Sequence, residues 1–180
     1  MTRIREGNVE WTFESGWSAE KFDDWAFYRK QFQTCADHNK AMDILALPPN
    51  GEVLWMIEAK DYRRHRRDPS KGPLPMEIAK KARDTLAGIL AASANAVDNE
   101  QRFARKAAQA KKIRVVLHLE QATKPSKLFP WTVDPADVKQ EMKRLLKAVD
   151  PRAAVMSTAT RWDIWTTTWS PNPAADSATP

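Results

Sequence analysis

"AMDILALPPNGEVLWMIEAKDY", residues 41 to 62, holds two short apolar runs on either side of a Pro-Pro-Asn-Gly break. Asn50-Gly51 is a strong hairpin signal because both residues tolerate positive φ. Pro48 and Pro49 keep the corner out of any helix. The spacing predicts two antiparallel strands, near 41–47 and 53–60. Three charges sit where burial is expected: Asp43 in the first run, and Glu58 and Lys60 near the end of the second. Centring the turn on Asn50-Gly51 sets Asp43 directly opposite Glu58, and directly opposed residues share a face with Cβ atoms about 4.5–5.5 Å apart. The period of two puts Lys60 on that face as well. The other face, with Val53, Trp55, Ile57 and Ala59, is apolar.

Like charges opposed across a sheet repel. A cation between them removes the conflict, and two carboxylate oxygens are what Mg²⁺ usually takes from a protein, with waters and substrate phosphate completing its octahedron. A neighbouring lysine can orient a metal-bound water for attack on phosphorus. The pattern matches the needs of metal-assisted phosphodiester hydrolysis. An acid-x-Lys triplet alone carries little information. Asp137-Val138-Lys139 and Glu141-Met142-Lys143 repeat it on a predicted helix, where they read as surface charge. Context separates Glu58-Ala59-Lys60 from these: an apolar strand, an opposed Asp43 and a basic loop downstream.

The formal charge is +6. Between Lys60 and Lys81 eight basic residues face three acids, a surplus of five. A focused basic segment is the footprint of a phosphate-binding surface. Arg63, Arg64, Arg66, Arg67 and Lys71 are therefore expected to meet nucleic-acid phosphates. His65 is either another phosphate contact or a bystander. Lys81 and Asp84, on the next helix, can turn toward the site or sit on a solvated face, and Lys81 joins the phosphate-facing set.

Elsewhere, "NVEWTFESGW" alternates around Val9, Trp11 and Phe13 and predicts a strand with a turn at Gly16. Ser18 is a plausible N-cap for a helix from Ala19 to Gln33. Pro75 suits the first turn of a helix over Met76–Ala92. A further helix is expected over Asp98–Ala110, with Gln101 completing a capping box. "IRVVLHLE" (113–120) reads as a buried strand. Asp134 as N-cap, Pro135 and Asp137 signal a helix over 133–149. "AAVMST" and "WDIWTTTW" read as late strands. The expected class is α/β: a single domain over residues 1–169 with a central mixed sheet flanked by helices, followed by a disordered tail over 170–180.

"KAMDILAL…LWMIEAKDYR", an Asp followed by Glu-x-Lys on a hairpin between two helices, resembles the PD-(D/E)xK nuclease superfamily, over roughly residues 18 to 120. Met42 stands where that name has proline. The resemblance implies a restriction-endonuclease-like core. It implies Mg²⁺, with Mn²⁺ able to substitute, bound by Asp43, Glu58 and the Ala59 backbone carbonyl, and Lys60 serving the nucleophilic water. Relatives often add an acid from the first helix, for which Asp24 is the choice here, with Asp23, Glu20 and Glu14 as rivals. The expected activity is a divalent-metal-dependent nuclease, DNA favoured over RNA. The alternative is a catalytically inactive module of the same fold that binds nucleic acid or scaffolds a larger complex. A homodimer or a partner subunit would be needed to cut both strands of a duplex in one event.

Cys35 is the single cysteine, which excludes an internal disulfide and fits a cytoplasmic setting. No apolar run approaches the ~18 residues of a membrane span, so no membrane partner is expected. Cys35-x-x-His38 lacks the second ligand pair of a zinc site. Of eight tryptophans, Trp11, Trp25 and Trp55 fit core positions. Trp162, Trp165 and Trp169 fit a core and sheet edge better than a base-stacking platform.

Overall fold

In the computed structural model, which describes residues 1–36, 38–64, 67–122, 132–160 and 164–169, the hairpin forms with the expected register. β4 (Ile44–Leu47) pairs antiparallel with β5 (Val53–Asp61), Ile44 against Ile57 and Ala46 against Trp55. One step further along that offset lie Asp43 and Glu58. Only Gly51 of the Asn-Gly pair takes positive φ, at 65°. Its N–H donates to the Pro48 carbonyl at 2.9 Å, so Pro49 takes the second position of the turn, which its fixed φ suits.

Beyond the hairpin the sheet is parallel. β6 (Lys112–Glu120) lies beside β5, and β7 (Ala154–Met156) beside β6. The crossover from β5 to β6 carries α1 (Leu74–Asn95) and α2 (Asp98–Ala108), and that from β6 to β7 carries α3 (Pro135–Leu145). Parallel neighbours need such crossovers, whereas the antiparallel pair needs only a tight loop. With β3 (Ser18–Lys21) on the edge beside β4, the five-stranded mixed sheet runs β3-β4-β5-β6-β7.

The two faces of this sheet bury different partners. Leu45, Leu54, Met56, Val115, Leu117 and Leu119 share one core with the helices. Ile44, Ala46, Trp55, Ile57 and Val116 pack in a second core against a separate three-stranded sheet. That sheet is β1 (Thr2–Glu6), β2 (Val9–Phe13) and β8 (Trp165–Trp169), in the order β1-β2-β8. Trp11, Trp25 and Trp55 are buried as expected, and Trp165 meets the Trp55 ring edge-on at 5.1 Å. A buried Trp165 offers no face for base stacking. Trp162 and the 170–180 tail lie outside the described residues. No helix among the described residues is long and apolar enough to cross a membrane.

Two local expectations fail for physical reasons, and one strand lacks a sequence signal. The helix expected over Ala19–Gln33 does not form. Ser18–Lys21 instead pairs with β4, and only a 3₁₀ turn (Phe22–Asp24) and a π-helical turn (Tyr28–Phe32) follow. Phe22, Trp25, Phe27, Tyr28 and Phe32 are all buried. Their spacing does not fit one α-helical stripe, so the chain bends to bury each ring. The Glu100 carboxylate on α2 accepts from the N–H groups of Ala26 and Phe27, at 2.7 and 3.0 Å, and so caps that segment from far along the chain. The capping box on α2 is also absent: Val97 is the N-cap without a side-chain bond, and the Gln101 amide donates to the Ala94 carbonyl. Finally, the strand Thr2–Glu6 carried no alternation strong enough to be read. By contrast, Asp134 caps α3 as expected, accepting from Ala136 N–H at 2.7 Å.

Candidate functional site

Asp43, Glu58 and Lys60 converge at the end of the hairpin remote from its turn. Glu58 sits on β5 with no exposed surface. The Lys60 ammonium lies 2.6 Å from Glu58 Oε1, and Lys81 on α1 donates to the same oxygen. Lys81 also lies 3.4 Å from Asp43 Oδ1, while Asp43 Oδ2 accepts from the Ala59 backbone N–H at 2.7 Å. Behind them Glu77, one turn before Lys81 on α1, lies 3.4 Å from Lys60 and 2.6 Å from Arg67. The i, i+4 spacing of Glu77 and Lys81, which puts both on one helix face, was the sequence signal for this half of the cluster.

α1 also fixes the approach of β4. Thr85 accepts from Met42 N–H through its hydroxyl at 2.8 Å, and Asp84 accepts from Lys40 N–H at 3.1 Å. Asp84 is thus a strut for the strand that presents Asp43 rather than part of the cluster.

The electrostatics follow from burial. Desolvation, then the Asp43 charge, push Glu58 up to about 7, against the pull of Lys81 and Lys60. Burial acts to lower Lys60 and Lys81, but the facing Glu58 and Asp43 carboxylates outweigh it and hold both above the ordinary lysine range. Burial also acts to raise Glu77, and the bond from Arg67 with the Lys60 charge outweighs it, leaving Glu77 low. Glu58 Oε2 is buried without a hydrogen-bond partner, as is Asp23 Oδ1 nearby. A buried unpaired carboxylate oxygen is costly and calls for an explanation.

Asp23 and Asp24, the acids expected on a first helix, are placed differently by the structure. Asp24 is exposed and pairs with Lys21 and Arg29. Because Phe22–Asp24 is a 3₁₀ turn leaving a strand, Asp23 is the residue turned inward. It lines a cleft of about 460 Å³ together with Asp43, Lys81 and Tyr28. Burial raises its pKa, Lys21 opposes this, and Asp43 adds to it. Among the described residues no group of three or more His, Cys, Asp or Glu is close enough to hold a metal ion. Any cation here would have Asp43 and Glu58 as its protein carboxylates.

The basic loop is the largest departure from expectation. Arg67 is turned inward, bonded to Glu77, the Tyr62 hydroxyl and the carbonyls of Lys71 and Gly72. Arg63 bonds Glu120 and, at 3.1 Å, the Thr158 hydroxyl. Lys81 belongs to the cluster above. These three cations neutralise buried acids instead of facing solvent. Arg64 and Lys71 are exposed, and His65 and Arg66 lie outside the described residues. Sequence reading also missed the network that holds Arg63. Glu120, at the end of β6, accepts from His118 Nε2 at 2.8 Å and Thr158 N–H at 2.6 Å. An acid two residues from a histidine inside an apolar strand was its only trace in the sequence.

Fold and cluster together define a class: a mixed α/β domain with a self-neutralised carboxylate–lysine cluster at one end of its hairpin. No family model and no solved structure matches the chain. A curated relative does: a cysteine–tRNA ligase of Neisseria meningitidis serogroup A, 30% identical over 175 residues, covering 81% of this chain and 25% of the ligase. The chain thus spans about a quarter of the length of that relative. The match corrects the expected activity. The protein with which this chain shares sequence is named a tRNA ligase, which overturns the expectation of a divalent-metal-dependent nuclease acting on DNA.

Proposed function

We propose that this chain is an RNA-binding module related to part of an aminoacyl-tRNA synthetase, with tRNA as the nucleic acid it meets. The observation that carries this reading is the 30% identity to a cysteine–tRNA ligase along 81% of the chain. The net charge of +6 supports it, since phosphate contacts dominate the affinity of proteins for nucleic acids.

Within this reading the cluster serves binding. Its PD-(D/E)xK-like arrangement of Asp43, Glu58 and Lys60 is retained as a scaffold for a cation and a phosphate. The orphaned Glu58 Oε2 and the neighbouring Asp43 carboxylate fit Mg²⁺, or Mn²⁺ in its place. Asp43 and Glu58 would hold such an ion, which would supply positive charge to attract an RNA phosphate. Lys81 spans the same two carboxylates, so it must move aside for a metal, and Lys60 would stay on Glu58.

The test is binding of an unmodified tRNA transcript, followed by fluorescence anisotropy in Mg²⁺ and in EDTA. Micromolar binding, on the order of the sequence-independent range, is expected to strengthen several-fold in Mg²⁺, and Asp43→Asn should remove that increment. Absence of tRNA binding would sink the reading. Binding indifferent to Mg²⁺ would remove the cation from it.

A further inference from the structure

The inward-turned arginines leave a question: which surface meets phosphate? Among the described residues, the strongest basic run that faces solvent is "RFARKAAQAKK", residues 102–112, with five basic residues and no acid. Arg102, Arg105 and Lys106 fall at i, i+3 and i+4 on α2, on one face. Phe103, Ala104 and Ala107 occupy the buried face. Lys111 and Lys112 follow at the start of β6, and all five are exposed.

The C-terminal end of this ridge borders a groove, with Arg102 and Arg105 further back along α2. Lys106, Gln109 and Lys111 form one wall, and the hairpin turn from Pro48 to Glu52 forms the other, enclosing about 400 Å³. The turn is tied to the ridge, since the N–H groups of Lys111 and Lys112 both donate to the Glu52 carbonyl, at 3.0 and 3.1 Å. The acid on the groove wall, Glu52, is paired with Lys111 at 2.7 Å, so the local surplus stays positive. The Asn50 and Gln109 amides, which can both donate and accept, suit ribose hydroxyls.

We infer that this groove, between α2 and the β4–β5 turn, is where the RNA backbone is held. The inference rests on the RNA-binding reading above and gives it a surface. Charge and geometry carry it. A row of long cations beside a polar channel grips phosphates without reading bases, and an open groove tracks a strand, as in proteins that bind nucleic acid without sequence preference. The cluster at Asp43 and Glu58 lies at the other end of β5. Lys112 stands beside Val53, and Leu117 beside Glu58, five residues or roughly 17 Å along the strand.

The test compares wild type with the triple variant Arg102→Gln, Arg105→Gln, Lys106→Gln, which keeps good helix formers on α2. A control with equal charge loss, Lys139→Gln, Lys143→Gln, Lys147→Gln, alters exposed positions on and just after α3. Each is titrated against the tRNA transcript and a DNA duplex of matched length over a range of salt. The α2 variant is expected to bind the transcript at least tenfold more weakly. Its log–log salt slope should fall by about two to three, as three lost phosphate contacts require. The control should match wild type, and the transcript should bind more tightly than the duplex. Equal binding by the α2 variant, or an equal loss in the control, overturns the surface. Equal affinity for the duplex overturns the RNA assignment. Failure of wild type to bind tRNA overturns the RNA-binding reading itself, so the two failures are distinguishable.

Discussion

The two ends of the β4–β5 hairpin handle charge in opposite ways. At the open end, Asp43, Glu58, Lys60, Lys81 and Glu77 neutralise one another in a largely buried cluster. At the turn end, Arg102, Arg105, Lys106, Lys111 and Lys112 are all exposed, with Arg102 bonded to Asn99, Arg105 to the Ser93 carbonyl at 3.0 Å and Lys111 to Glu52. Basic residues counted along the chain look alike at both ends. Position relative to the sheet separates them: a cation over the centre of α1 must find an acid, whereas one on the rim can stay hydrated. Burial turns charge into architecture, and exposure leaves it available to a partner.

This contrast can be broken most directly at Lys81. Lys81→Met leaves Asp43 and Glu58 facing each other with one cation fewer. Breaking a buried pair this way costs about 3–5 kcal/mol, to be read from urea unfolding at pH 8, above the value of about 7 to which Glu58 is pushed in the wild type. A loss below about 1 kcal/mol would show that the cluster is already wet. The same variant should lose less at pH 5, where Glu58 carries its own proton.

The pH dependence of wild type follows from the same residue. Glu58 titrates near 7 in the folded chain, above its ordinary value of 4.5. Between these values the folded state holds a proton that the unfolded state has released. The Glu58 contribution to stability is therefore full below about 4.5 and declines as pH rises through 7. Thermal unfolding across this window should show a falling Tm for wild type and a flatter curve for Glu58→Gln. Parallel curves would contradict the buried-carboxylate account.

A smaller effect is expected at Gly88 of α1, against which the aromatic segment packs. A Cβ there would lie 2.8 Å from Phe22 and 3.0 Å from Phe32. Gly88→Ala should cost about 1–3 kcal/mol by overpacking, and it should perturb the Asp23 side of the cleft before the turn-end groove. Chemical shifts at the two sites would report which moves. Smallest of all is the effect of Arg105→Gln at the turn end. Its stability change should stay within about 0.5 kcal/mol, although it belongs to the surface whose loss weakens RNA binding most. A large destabilisation there would mean that the two ends do not differ as described.

Much of the hairpin could be read from sequence because its determinants are local. The Pro-Pro-Asn-Gly corner sets the register, and a period of two then places Asp43, Glu58 and Lys60 together. The cap on α3 is equally local, since Asp134 acts on its own next turn. The segment from Ser18 to Gln33 misled for the opposite reason. Its course is set by pairing with β4 and by Glu100, more than sixty residues away, and no helical propensity within the segment competes with burying five aromatic rings. The trio does not specify an activity, because the same charges serve hydrolysis, binding or architecture equally well in sequence.

By itself, then, the sequence determined the α/β class, the hairpin register and the convergence of three charges, all consequences of short-range periodicity and turn chemistry. Only the tertiary structure decided that the cations at 63, 67 and 81 turn inward and that Asp23, rather than Asp24, faces the cleft. It alone leaves the α2 ridge exposed. Those outcomes depend on which charge finds a buried partner across the sheet, and desolvation makes that choice only once the layers have packed.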